Sequence, residues 1–147
     1  MIRTSTFRHH HVQLHSTVEG LSAVLAWAAS IDAAEQAALR LQELKGQLII
    51  HLELEDTLLY ARLLDHPSPA LRTATQGFKD EIVHFAAAFA EFCHTWQRPQ
   101  TIGSDWATFV AETEALLTAL ARRIHREETE LFPLIDDAER VPVEAAS

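Results

Sequence analysis

Apolar residues recur every three or four positions along four separate stretches of this chain, and that period limits its fold more than any other feature. At ~100° per residue, such spacing paints one apolar stripe down a helix. It does not suit a strand, whose side chains alternate between two faces. In the first stretch the stripe is Phe7, Leu14, Val18, Leu21 and Leu25; in the second, Leu41, Leu44, Leu48, Leu52, Leu58 and Leu59. The third carries Phe78, Ile82, Phe85, Phe89, Phe92 and Trp96, and the fourth Trp106, Val110, Leu117, Leu120, Ile124, Leu131 and Ile135. Helix-stopping residues fall between the stretches. Asp32, with Glu35 three positions later, reads as a helix cap. His66-Pro67-Ser68-Pro69 closes the second stretch and opens the third, with Ser68 as cap and Pro69 in the first turn. Arg98-Pro99 to Gly103 makes the next connection, with Ser104 or Asp105 as cap, and Pro133 bends or tightens the last helix before Pro142 ends it.

The expected helices are therefore about 7–29, 33–64, 69–96 and 105–137. Four amphipathic helices with short connections must bury their stripes against one another. The expectation is one all-α domain over 1–147, an antiparallel up-down-up-down four-helix bundle. At 147 residues and 48% apolar composition, the chain suffices for one core and leaves little room for a second. The three Trp and seven Phe read as core filler.

Charge and composition exclude several functions. Twelve Lys and Arg against 21 Asp and Glu leave a net charge of −9, opposite to what a nucleic-acid surface needs. A single Cys excludes an internal disulfide framework and Cys-rich zinc modules. The first twelve residues lack the apolar run of a secretory leader, and no stretch approaches the ~20 apolar residues that span a bilayer. A cytoplasmic protein without nucleic-acid or membrane partners is expected. No nucleophile–base pair and no Gly-rich phosphate loop stand out, so any chemistry would belong to a bound cofactor.

The nine His are the unusual feature, and helix geometry sorts them. A buried ionisable group needs a partner or a metal. His11 falls four after Phe7 and three before Leu14, so it points inward; His15 lies on the flank of the same stripe. His51 follows Leu48 by three, and Glu55 follows His51 by four, stacking both inward one turn apart. Glu81 is placed on the inner flank of the third helix by its spacing to Phe78 and Phe85, while His84 is rotated away. Glu127 points inward between Ile124 and Leu131, with Arg123 on its flank. Counted from the connecting turns, His11 and His51 lie level, and so do Glu55 and Glu81. Glu127 lies about a turn deeper, where Arg123 would be level. Two imidazoles and three carboxylates in one core call for a cation. Metal ligands are therefore expected at His11, His51, Glu55, Glu81 and Glu127, with His15 and His84 as secondary candidates and Arg123 as a counter-ion within the site.

These residues also carry a family likeness. His51-Leu-Glu-Leu-Glu55-Asp-Thr-Leu-Leu-Tyr60 resembles the H-x-x-x-E…L-[FY] signature of hemerythrin-like (HHE cation-binding) domains. Glu127-Glu128-Thr-Glu-Leu-Phe-Pro133 resembles the E-E-x-x-L-F-P close of their fourth helix, and Phe7-Arg8-His9-His10-His11-Val-Gln-Leu14 their first-helix histidine segment. The resemblance runs from Phe7 to Ile135. It implies a four-helix bundle holding a non-haem metal centre, usually two irons bridged by carboxylates, that carries or senses O2, handles nitric oxide or handles iron. By position, His11, His51, Glu55 and Glu127 match family ligands.

Two departures stand out. Where the family's fourth-helix His belongs, four before Glu127, this chain has Arg123, and the third-helix His is not cleanly present. Three outcomes stay open. Glu81 replaces a His in a carboxylate-rich dinuclear site; only the His11/His51/Glu55 half remains, holding one metal; or Arg123 fills the second position and the bundle binds none. The expected cofactor is iron, mono- or dinuclear, with manganese or zinc as alternatives, and the expected small-molecule partner is O2 or NO. The competing reading is a degenerate, metal-free bundle with a structural or protein-interaction role, and metal-based turnover ranks below both.

Overall fold

The computed structural model describes residues 3–140, and every element in it is helical. The first arm is α1 (Ser5–Leu25). The second is α2 (Ile31–Leu54), a π-helical turn π1 (Glu55–Tyr60), and α3 (Ala61–Leu64). The third is α4 (Pro69–Thr95). A short helix α5 (Pro99–Ser104) leads into the fourth arm, made of α6 (Trp106–Arg126), π2 (Glu127–Leu131) and α7 (Phe132–Arg140). No helix among the described residues is long and apolar enough to cross a membrane.

The helix ends follow local chemistry. Ser30, in extended backbone, accepts a hydrogen bond from the Ala33 amide at 2.9 Å, so it caps the second arm in place of Asp32. Asp32 sits instead in the first turn, where its charge complements the helix N-terminus. Because that cap starts α2 at Ile31, the connection takes residues 26–29 out of the first arm, which ends at Leu25. Ser68 caps α4 through the Leu71 amide, with Pro69 as its first residue. The expected plain connection after Arg98 holds α5: Pro99 sets a helical φ after the extended Arg98, and Ile102 is fully buried. Asp105 precedes α6 without a side-chain cap bond. Pro142 lies outside the described residues.

Contacts between arms run in opposite directions along the chain. His10 and Thr17 of α1 meet His51 and Gln47 of α2. Phe78 of α4 and Trp96, the residue that follows that helix, meet Arg123 and Glu112 of α6. Asp56 meets Lys79, and Thr4 and His11 meet Asp136 and Glu128. Antiparallel neighbours give such a pattern.

The buried side chains form two clusters. The larger includes Leu21, Leu41, Leu44, Phe89, Trp96, Phe109 and Leu120. The smaller holds Phe7, Leu59, Tyr60, Leu63, Phe78, Ile82, Leu131, Phe132 and Ile135. The two π turns change the phase of the arms at the smaller cluster. In each, an amide reaches five residues back: Ala61 to the Asp56 carbonyl, and Phe132 to the Glu127 carbonyl. Leu58, expected on the inner stripe, is consequently exposed, and Leu59 and Tyr60 are buried in its place. In the fourth arm Pro133 has no amide to give and its ring would crowd the carbonyl four residues back, so a wider turn upstream relieves the clash. The bend expected at Pro133 is this widened turn, not a tightened one.

Candidate metal centre

Four buried side chains converge beside the smaller cluster. His11 comes from α1, His51 from the end of α2, and Glu55 and Glu127 from the first positions of π1 and π2. Each offers one ligand atom, and these atoms all lie within 4.8 Å of one another. Glu55 is wholly inaccessible to solvent, and the other three are nearly so.

The imidazoles are aimed by their outer nitrogens. His11 Nδ1 lies 2.9 Å from Glu128 Oε1, and His51 Nδ1 lies 3.3 Å from His10 Nδ1. Phe132 stacks on the His11 ring with centroids 5.4 Å apart, and Phe7 packs edge-on against His51. The Nε2 atoms are left facing the carboxylates: His51 Nε2 is 2.9 Å from Glu55 Oε1, and His11 Nε2 is 3.6 Å from Glu127 Oε2. These short approaches lack hydrogen-bond geometry. Among the described residues, the buried side-chain atoms without a hydrogen-bond partner are His11 Nε2, Glu55 Oε1, Glu127 Oε2 and Arg123 Nε. Buried polar atoms are rarely left so. Three of them belong to the cluster, and their donor set, imidazole nitrogen and carboxylate oxygen, is one that iron, manganese or zinc accepts. The residues fit a cation.

The electrostatics agree. Burial drives the Glu127 carboxyl up to about 8, helped by the neighbouring Glu55 acid, and opposed by His11 and Arg123. Burial also raises Glu55. It lowers the His51 imidazole to about 4, against the pull of Glu127 and with the push of Arg123. Without a cation, the pocket thus disfavours ionised acids and charged imidazole alike. A metal ion reverses the preference of the acids, because it needs them deprotonated, and shares that of the imidazole, which it needs neutral.

The other candidates lie elsewhere. Glu81, expected on the inner flank, is exposed and pairs with Arg126, with Arg123 at 3.8 Å. Ile82, the next residue, takes the buried place. His15 is exposed and lies 3.1 Å from Glu19, and His84 is exposed. Arg123 is buried. Its guanidinium donates to the Tyr60 hydroxyl and to the Phe78 carbonyl, each at 3.1 Å, and its Nε lies 3.4 Å from Glu127 Oε1.

Residue-by-residue placement on regular helices misses Glu128, His10 and Tyr60. Tyr60 follows Glu55 by five positions. In an α-helix that offset turns a residue ~140° away, whereas a π turn brings it back to the same face. Its hydroxyl lies 3.5 Å from Glu55 Oε2. A matching signal was present in the chain: Glu55-Asp56-Thr57-Leu58-Leu59-Tyr60 and Glu127-Glu128-Thr129-Glu130-Leu131-Phe132 are two versions of one segment.

The fold and site together define a helical bundle with a buried histidine–carboxylate cluster suited to a cation. The chain belongs to the hemerythrin HHE cation-binding domain family, whose model matches residues 3–135. No curated protein and no solved structure matches it.

Proposed function

We propose that this protein holds a non-haem metal ion, iron, in the bundle core through His11, His51, Glu55 and Glu127, and that it binds or senses O2 or NO there or handles the metal itself. The observation that carries this reading is the set of buried, partnerless donor atoms on three of those residues, facing one another from three arms of the bundle. A nitrogen and oxygen donor set supports iron or manganese ahead of thiolate-seeking metals. Glu128 supports the reading from outside the cluster, since a carboxylate on the far nitrogen of a metal-binding His fixes the ring and raises its basicity. Iron held there with an open position would supply affinity for a small diatomic ligand.

Arg123 favours a second reading, a metal-free structural or interaction module in which its charge offsets the acids. Against this, its contact with Glu127 lacks hydrogen-bond geometry, and it leaves His11 Nε2 and Glu55 Oε1 unmet. Metal analysis separates the two. Protein from iron-replete cells, purified without chelator, should carry iron or manganese. His51→Ala should lose it, and chelator should lower the melting temperature of the parent by several degrees, because a ligand that binds only the native state stabilises it. Metal at background level with a melting temperature indifferent to chelator would leave only the structural reading.

A further inference from the structure

The two π turns are related by an internal repeat that extends beyond them. Aligning Glu55 with Glu127 pairs Thr57 with Thr129, Leu59 with Leu131 and Tyr60 with Phe132, and it pairs His51 with Arg123. On the other two arms, Thr4, Phe7 and Leu14 pair with Thr75, Phe78 and Phe85, which sets His11 against Ile82. The structure treats the paired positions alike: Thr4 and Thr75, Phe7 and Phe78, and Glu55 and Glu127 are all buried. Phe7 packs on His51 as the Phe78 carbonyl accepts from Arg123. The bundle core is thus built as two half-sites, one from α1 and the second arm, the other from α4 and the fourth arm.

The halves differ in their donors. The first presents His11, His51 and Glu55. The second presents Ile82, Arg123 and Glu127, so one imidazole position holds an alkyl side chain and the other holds a permanent cation. Ile82 packs in the apolar cluster with Tyr60 and Phe78. The Arg123 guanidinium is anchored by the Phe78 carbonyl of its own half and by the Tyr60 hydroxyl of the first, which fixes a positive charge at that imidazole position. Glu127, with no His on its own half, lies instead 3.6 Å from His11 of the other. Arginine does not give up its proton in a protein, so it repels a metal ion at that position and cannot ligate one.

We infer that the centre takes a single metal ion, in the His11/His51/Glu55 half with Glu127 reaching across, and that the Arg123 guanidinium is the resident cation of the other half. This rests on the cation-binding reading above and sets its stoichiometry. Titration of metal-free protein with Fe(II) under anaerobic conditions, counted by metal analysis after desalting, tests it. The parent should retain one equivalent and His51→Ala none. The double variant Ile82→His/Arg123→His, which restores imidazole to both positions, should retain two. No retention by the parent would overturn the cation-binding reading itself, and this inference with it. Two equivalents in the parent, or one remaining in His51→Ala, would overturn the single-ion inference and leave cation binding standing. A folded double variant with one equivalent would also overturn it; should that variant not fold, the first two measurements decide.

Discussion

The far end of the bundle and the metal-site end are made from the same helices with the same apolar period, yet they solve burial differently. At the far end, around Leu21, Leu44, Phe109 and Leu120, the interior is apolar and its few polar groups have partners. Thr113 donates to the Phe109 carbonyl, and the Trp96 indole donates to Glu112. At the other end, two arms abandon α geometry at their acidic residues, and every partnerless buried polar atom found among the described residues lies there. One end is complete as it stands. The other is arranged around something that would complete it.

Substitutions can set the two ends against each other. The largest effect is expected from Arg123→Met. It removes the charge 3.4 Å from Glu127 and leaves the Tyr60 hydroxyl and the Phe78 carbonyl without their donor, and each buried polar group so left costs about 1–3 kcal/mol. Chemical denaturation of the metal-free protein measures this, and an unchanged midpoint would show that the guanidinium balances nothing. At the far end, Leu44→Ala should cost about 2–5 kcal/mol through the cavity it opens, while metal affinity stays as in the parent. A fall in affinity there would mean that the ends are not independent. Glu128→Gln should do the reverse, leaving folding intact and weakening metal binding about 10–100-fold, as loss of an orienting partner does; competition against a chelator of known affinity reads it. Glu81→Gln should do least. Its pair with Arg126 lies at the surface, where such pairs contribute at most about 1 kcal/mol, and its 3.8 Å approach to buried Arg123 is made from the solvent side; retained metal should not change. Loss of metal in this variant would return Glu81 to the site.

Regular periodicity made much of this legible. Four apolar stripes and their punctuation locate the arms, and the positions of His11, His51, Glu55 and Glu127 relative to those stripes put them inside, where the structure brings them together. The same method fails where the helix stops being regular or where a phase argument is marginal. Leu58 is out and Tyr60 is in because π1 adds a residue to the turn, and no stripe counted at 3.6 residues can show that. Glu81 sits on a flank, where a small rotation of α4 decides between Glu81 and Ile82; burying the apolar side chain and leaving the acid beside Arg126 is the cheaper choice. The pairing of Arg123 with Tyr60 and Phe78 joins three arms, so it needed the packed structure.

An anomalous-scattering experiment on crystals of the protein grown with Fe(II) examines the centre most directly. One iron peak is expected, enclosed by His11, His51, Glu55 and Glu127, with the Arg123 guanidinium beside it and no second peak between Ile82 and Arg123. An anomalous map featureless at that cluster, in crystals of folded protein, would contradict metal binding there.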